Sequence, residues 1–232
     1  MPISLFSRLL DLISPRRCPV CGHRLQIQEE TLCASCNLHL PRTYYCRDAY
    51  DNEMAQRFWG LLPIERAAAW IFYTPKAEST HFIHQLKYAN HPEIGLQTGR
   101  MAAEEMAAEG FFEGIDCIVP VPLAPQRERE RGYNQSLMIA RGIAEATGIR
   151  IERKAVRRVS YGGSQTQKGK WERQENVANA FQLRNARRVS GKHVLIVDDV
   201  VTTGATAIAC GSQIVKAGNV RISIFSLGYS KG

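Results

Sequence analysis

Long apolar runs are absent from the 232-residue sequence. No run approaches the roughly 20 residues that cross a bilayer, so we expect no transmembrane segment. We also expect no secretory leader, because the first 17 residues lack a basic start, a long apolar core and a small-residue cleavage site. Their apolar residues instead recur with a helical period. This predicts a short helix packed on the protein's own body, with a membrane-surface helix as the alternative.

Acidic residues are scarce in one part of the chain. The formal net charge is +8, and residues 117–192 hold 16 Lys and Arg against 6 Asp and Glu, while the remainder is nearly balanced. Because 44% of the residues are hydrophobic, the chain can bury a core and is not expected to be disordered. A basic surplus on a folded domain suits pyrophosphate, nucleotides or nucleic acid as partners.

The number of cysteines is odd, which argues against a framework of disulfides. The chain has seven cysteines, and four of them form two Cys-x-x-Cys pairs separated by eleven residues. Two such turns can present four thiolates to one tetrahedral ion. The thioredoxin-like pattern that a redox pair requires is missing. We therefore predict a structural Zn2+ site in a reducing compartment, with the ligands Cys18, Cys21, Cys33 and Cys36.

The other cysteines are predicted to have no ligand role. Cys117 and Cys210 lie in apolar segments and are expected in the core, and Cys46 has no partner nearby. His39 is an alternative metal ligand.

The most informative stretch runs from His193 to Thr206. Val194 to Val197 form an unbroken apolar run rich in β-branched residues, which predicts a strand buried on both faces of a parallel sheet. Asp198 and Asp199 follow, and then a Thr/Gly turn leads into a helix. A helix N-terminus reached through a glycine turn is suited to binding a phosphate. A Walker-type loop is excluded because no Gly-Lys-Ser/Thr follows.

The two adjacent acids refine the expected ligand. Like charges side by side would weaken a bare phosphate site. They are useful if they accept hydrogen bonds from sugar hydroxyls while the phosphate lies farther on, at the helix. The stretch therefore predicts a ribose 5-phosphate site. The alternative is a capped strand-to-helix turn without a ligand.

A second polar segment follows another predicted buried strand, Ile115 to Leu123. Pro122 and Leu123 end that strand, and a loop containing Arg127 and Arg131 follows. Parallel sheets bind ligands beyond the carboxyl ends of adjacent strands, so this loop is expected beside the acids and in contact with pyrophosphate. A solvated basic face is the alternative.

Residues 161–176 lack an apolar period and combine glycines with basic residues. Such a segment is suited to closing over a bound anion, and a disordered surface loop is the alternative. The residues assigned to this flexible loop are Gln165, Lys168, Lys170, Arg173 and Asn176.

The apolar runs and turn residues together predict an α/β fold, a parallel sheet flanked by helices, with a small N-terminal metal module. We divide the chain into a helix and four-cysteine module (1–47), a linker (48–65) and the large domain (66–232). Strands are expected within 67–73, 115–123, 154–160, 180–183, 194–197 and 220–229, and helices over 76–88, 92–109, from about 136 to 147 and from 207.

The acid pair and the Thr/Gly turn resemble the phosphoribosyl-pyrophosphate (PRPP) signature of type I phosphoribosyltransferases. More broadly, the chain resembles the ComF/GntX family of competence-related, phosphoribosyltransferase-like proteins over nearly its whole length. The matching segments are Cys18 to Gly22, Ile83 to Tyr88, Val119 to Leu123, Arg131 to Ser136 and Gln165 to Phe181. The resemblance implies a type I phosphoribosyltransferase fold, a bacterial cytoplasmic location and a link to the use of exogenous DNA.

The resemblance also implies roles for residues. Asp198 and Asp199 would hold the ribose hydroxyls, and the turn would cradle the 5-phosphate. The PRPP-binding set then includes Asp198, Asp199, Val200, Val201, Thr202, Thr203, Gly204, Ala205, Thr206, Pro122, Leu123, Arg127 and Arg131. Lys168 and Lys170, with Mg2+, would stabilise the departing pyrophosphate, so these lysines and the two acids form the catalytic set.

Two classes of function follow from these expectations. The first is transfer of ribose 5-phosphate from PRPP to an acceptor that the sequence does not identify. The second is a non-catalytic protein of the competence machinery, regulated by PRPP or a nucleotide, that binds single-stranded DNA through its basic region or docks other competence proteins.

Overall fold

The structure is a computed structural model that describes residues 15–75, 77–88, 91–159 and 180–231. The helix predicted within the first 17 residues falls almost entirely outside this range. The predicted basic loop, residues 161–176, also lies outside it.

A five-stranded parallel sheet forms the centre of the molecule, with the strand order β1-β7-β6-β2-β3. A separate antiparallel ribbon pairs β4 with β5. The strands are β1 (Ile64–Phe72), β2 (Cys117–Pro120), β3 (Arg150–Ile151), β4 (Val156–Arg158), β5 (Phe181–Leu183), β6 (His193–Val201) and β7 (Arg221–Tyr229).

Helices cover both faces of the sheet, and two short 3-10 turns occupy Glu78–Thr80 and Ala186–Arg188. The helices are α1 (Ala34–His39), α2 (Glu53–Gln56), α3 (His81–Tyr88), α4 (Pro92–Ala107), α5 (Pro125–Arg131), α6 (Gln135–Thr147) and α7 (Ala205–Val215).

The core has two halves because the central strands bury both of their faces, as the continuous apolar runs predict. Leu195 and Val197 point into the half that contains α3, α4 and α6. Val194 and Ile196 point into the half that contains α7. The α/β fold with a parallel sheet and flanking helices is confirmed, and α3 and α7 lie on opposite faces of the sheet.

Three segments differ from the sequence expectation in detail. Strand β6 continues through the acid pair to Val201, because residues 198–201 still pair with β7. Residues 127–131, expected in a loop, lie on helix α5, which begins at Pro125 and ends before a left-handed Gly132. Residues 48–65, predicted as a linker, contain α2, and Met54, Ala55 and Phe58 are fully buried.

Cys117 and Cys210 are buried in the core, as predicted. Within the part of the chain that the structure describes, no helix is both long and apolar enough to span a membrane.

Candidate functional site

The acid pair and the second polar segment meet at one edge of the sheet. Strands β2 and β6 are parallel neighbours, with Val119 opposite Ile196 and Pro120 opposite Val197. The backbone N–H of Val121 then donates to the carbonyl of Val197 at 2.9 Å. The two segments therefore leave the sheet side by side, in the arrangement that forms ligand crevices in parallel α/β sheets.

Asp198 is buried, with 8% of the residue exposed. One oxygen, Oδ1, accepts hydrogen bonds from the Ser136 hydroxyl at 3.2 Å and from the Asp199 backbone N–H at 2.9 Å. Burial, and then the charge of Asp199, raise the pKa of Asp198 to about 7. The carboxyl group can therefore gain or lose a proton near neutral pH.

Asp199 is paired with a lysine that the sequence analysis did not assign to the site. The Lys87 Nζ atom lies 3.2 Å from Asp199 Oδ2. The other oxygen, Oδ1, accepts a hydrogen bond from the Val200 backbone N–H at 2.6 Å. Lys87 belongs to the segment Ile83 to Tyr88, and this match to the family was the one signal that marked it.

The Thr/Gly turn brings the chain from β6 into α7. Gly204 precedes the helix with φ of 79°, a left-handed conformation that favours glycine. A Cβ atom at this position would lie 2.9 Å from Phe58 Cε1, so both the conformation and the space require glycine. The hydroxyl of Thr203 accepts from the Ala205 N–H at 3.4 Å. The first turn of α7 points its remaining N–H groups towards this edge, as helix starts do.

The predicted PRPP-binding residues of β6, the turn and α7 differ in their exposure to solvent. Thr202 and Thr203 are exposed at the turn, and Ala205 and Thr206 are half-buried at the start of α7. Val201 is 2% exposed and packs in the core, so its side chain supports the strand. Val200 is half-buried and pairs with Gly228 of β7.

Basic side chains follow β2 and lie on the β4–β5 ribbon. The Arg131 guanidinium donates to Gln135 Oε1 at 2.8 Å, within the helices that follow β2. Burial and the charge of Arg127 lower the pKa of Arg158, while Asp198 acts in the opposite direction. Arg158, on the β4–β5 ribbon, is therefore a third arginine of this region, and sequence reasoning missed it.

Pro122 and Leu123 are half-buried just beyond β2, and Arg127 is exposed on α5. The five predicted residues of the basic loop lie outside the described residues. They are Gln165, Lys168, Lys170, Arg173 and Asn176.

The four predicted metal ligands converge in the N-terminal module. The sulfur atoms of Cys18, Cys21, Cys33 and Cys36 all lie within 4.8 Å of one another. The first pair sits on a tight turn, where Gly22, with φ of 73°, donates its N–H to the Cys18 carbonyl at 2.8 Å. Cys21 Sγ and Cys33 Sγ are 3.7 Å apart. A tetrahedral site with Zn–S distances of about 2.3 Å needs sulfurs about 3.8 Å apart, so the donor set fits zinc.

Cys46 and His39 do not join this cluster. His39 Nδ1 lies 2.7 Å from the carbonyl of Ser35, in its own helix.

The fold and the acid-pair edge define a domain of the phosphoribosyltransferase class, and the family model of the phosphoribosyl transferase domain matches residues 133–227. Among relatives, the DNA utilization protein YhgH of Salmonella typhi is 31% identical over 168 residues, which cover 71% of this chain and 72% of the relative. Competence protein ComFC of Bacillus subtilis is 29% identical, with 95% and 88% covered. Competence protein F of Haemophilus influenzae is 25% identical, with 91% and 96% covered. The chain belongs to the ComF family.

The structure also overlays on glutamine phosphoribosylpyrophosphate amidotransferase from B. subtilis with a TM-score of 0.41 and 24% identity. The overlay covers 61% of this chain and 30% of that one.

Proposed function

We propose that the protein binds PRPP at the acid-pair edge and transfers its ribose 5-phosphate group to an acceptor, in a role connected with the use of DNA. The observation that carries the proposal is the position of Asp198 and Asp199 near the carboxyl end of β6, which is followed by the Thr/Gly turn and the N-terminus of α7. We also propose that the protein works in the cytoplasm.

The acid pair would hold the sugar. Asp199 presents Oδ2 beside Lys87, and Asp198 Oδ1 is already oriented by Ser136. Carboxylates in this setting accept hydrogen bonds from the 2- and 3-hydroxyls of ribose and fix the ring in one orientation. A fixed ring lowers the entropic cost of displacement at the anomeric carbon. The same negative charges stabilise the positive charge that builds on the ring as the diphosphate departs.

The Thr/Gly turn would hold the 5-phosphate. The hydroxyls of Thr202, Thr203 and Thr206 and the first N–H groups of α7 provide donors, and the helix end favours an anion. Without a side chain on Gly204, the backbone can approach the phosphate closely.

The diphosphate would lie towards the basic residues. We assign Arg127 and Arg131 to it, and Lys168 and Lys170 as groups that cover it when the basic loop closes and excludes water. Mg2+, which prefers oxygen ligands and phosphates, would supply further positive charge to the leaving group when bound.

The four-cysteine cluster would hold a structural Zn2+. All four positions of the tetrahedron are then occupied by protein thiolates, so the ion has no open site for a substrate. We assign it to the stability of the N-terminal module.

Turnover of PRPP tests this proposal. The purified protein with Mg2+ should release pyrophosphate faster than PRPP hydrolyses spontaneously, and the rate should depend on an added acceptor drawn from a panel of nucleobases and nucleosides. The variant Asp199→Ala should lose this activity. Release at the spontaneous rate with every acceptor would contradict a transferase.

A second candidate is a PRPP-regulated protein that binds single-stranded DNA. The basic surplus of residues 117–192 favours it, as do the names of the relatives, which refer to competence and DNA utilization. Tyr133, one candidate for base stacking, is half-buried and its hydroxyl donates to the Leu86 carbonyl, which weakens that part of the argument. DNA affinity that falls steeply with salt and survives Asp199→Ala would favour this candidate.

A further inference from the structure

Lys87 forms part of the acid-pair edge and is partly buried. Its side chain is 23% exposed, and the side chain of its partner Asp199 is 16% exposed. Ion pairs at exposed positions are screened and contribute little, whereas partly buried pairs are screened much less. The pair therefore keeps the ammonium at the edge where the ligand is proposed to bind.

The helix that carries Lys87 is fixed on several sides. Phe82, Ile83 and Leu86 of α3 are fully buried in the core. The Tyr133 hydroxyl donates to the Leu86 carbonyl at 2.6 Å, and the side-chain amide of Gln85 donates to the Pro19 carbonyl at 3.1 Å. The backbone at Lys87 is therefore held in place, and only its flexible side chain needs to move when a ligand enters.

We expect the 5-phosphate and the diphosphate of PRPP to lie towards opposite faces of the sheet. In ribose, the carbons that bear the 5-phosphate arm and the diphosphate lie on either side of the 2,3-diol. If the acids hold the diol and α7 holds the 5-phosphate, the diphosphate extends away from α7. Helix α3 packs on the opposite face of the sheet from α7, so Lys87 approaches the acids from that side.

Charge gives the second argument. A diphosphate placed next to two ionised carboxylates is repelled, and the burial of Asp198 reduces the solvent screening of this repulsion whenever its carboxyl group is ionised. An ammonium group has three donors, so it can hold Asp199 with one and a phosphate oxygen with another. Lys87 thus has both the position and the donor capacity to offset the acids where the leaving group would lie.

We propose that Lys87 is a ligand-binding residue that donates to the diphosphate of PRPP while it remains paired with Asp199. The inference rests on the proposed function, since it assumes that PRPP occupies this edge.

The experiment compares two ligands that differ only in the diphosphate. Isothermal titration of the full zinc-loaded chain gives the affinities of PRPP and ribose 5-phosphate for the wild type and for Lys87→Met, which keeps the aliphatic length and removes the charge. A charge-assisted hydrogen bond predicts that PRPP binds about 10- to 100-fold more weakly to this variant. Ribose 5-phosphate should bind close to its wild-type affinity.

Two further variants serve as controls. Lys87→Arg should restore most of the PRPP affinity because it restores the charge. Lys216→Ala removes one positive charge from the exposed end of α7 and should bind both ligands as the wild type does. If Lys87→Met does not fold, judged by its melting temperature and zinc content, Lys87→Gln takes its place.

An equal loss of both ligands, or no loss of either, would overturn the assignment of Lys87 to the diphosphate. Failure of the wild type itself to bind PRPP would instead overturn the proposed function, and the assignment with it.

Discussion

The cysteine module and the acid-pair edge are built in different ways. Helix α1 of the module has six residues and buries none of them, and the first cysteine turn has no regular strand pairing beyond an isolated bridge between Arg17 and Arg24. At the acid-pair edge, six consecutive residues of β6, from His193 to Asp198, are buried between two parallel neighbours. The buried residues of the module, among them Leu25, Leu32 and Leu40, belong to the half of the core that contains α3, α4 and α6. The module is therefore held by this packing and by the proposed metal, whereas the edge inherits its rigidity from the sheet.

This difference means that each region can be disturbed while the other is monitored. The regions also touch, because α3 contacts the module through Gln85 and the acid pair through Lys87. A change in one region should therefore leave the other largely intact, except where α3 joins them.

Loss of one thiolate should break the module and spare the sheet. We expect Cys33→Ser to lose bound zinc and to unfold the module, because metal binding provides about 10–16 kcal/mol in small zinc domains. Zinc content and protease sensitivity of the N-terminal region measure this. Cys46→Ser, which removes a cysteine outside the cluster, should keep its zinc. Full zinc content in Cys33→Ser would contradict the proposed ligand set.

A change in the Thr/Gly turn should disturb the acid-pair edge and leave the cysteine module intact. Gly204→Ala forces a side chain into a left-handed conformation and against Phe58, so we expect a loss of about 1–3 kcal/mol of stability and much weaker PRPP binding. Gly114→Ala is the matched control, because Gly114 has φ of 70° but open space around its Cβ position. It should show the smaller stability loss and normal binding. Equal effects of the two variants would contradict the claim that contact with Phe58 adds to the cost of a side chain at position 204.

The pKa of Asp198 makes the edge sensitive to pH. Its pKa in the folded protein, about 7, exceeds the ordinary value of 3.8, so the folded state holds the proton more tightly than the unfolded state. The contribution of Asp198 to the free energy of unfolding should fall as the pH rises from 3.8 to about 7, and should then level off. PRPP affinity should rise through neutral pH, because the carboxylate is the form that accepts from hydroxyls.

The variant Asp198→Asn isolates that effect, since an amide does not titrate. The difference in unfolding free energy between wild type and variant, measured from pH 4 to 8, should slope downward. A flat difference would show that the proton on Asp198 does not distinguish the folded from the unfolded state.

The smallest effect is expected where the two regions meet. Gln85→Ala removes the hydrogen bond to the module, which costs about 0.5–1.5 kcal/mol and loosens α3. PRPP affinity should fall a few-fold while the zinc content stays unchanged. Gln213→Ala, on α7, is a control with a similar surface change. An unchanged affinity in Gln85→Ala would mean that the module does not influence the position of Lys87.

The sequence predicted the features that depend on neighbouring residues. Apolar runs rich in β-branched residues predicted the buried central strands, and the acids after Val197 were expected near the carboxyl end of β6, although the strand continues to Val201. The cysteine spacing predicted a cluster because two tight turns suffice to form it. These features need little knowledge of tertiary contacts.

The residues that the sequence did not assign depend on contacts between distant segments. Lys87 and Asp199 are 112 positions apart in the chain, and Arg158 reaches the site from a separate ribbon. Helix α5 was missed because residues 127–131 alternate in charge and show no apolar period. Its end signals were present, with Pro125 at the start and Gly132 after the end.

The most direct test is the thermal stability of the full chain with and without PRPP, measured for the wild type and for the variant carrying Asp198→Ala and Asp199→Ala. PRPP should raise the melting temperature of the wild type and leave that of the variant unchanged, while both retain the same zinc content. An equal rise in the two proteins would contradict the assignment of the ribose to the acid pair.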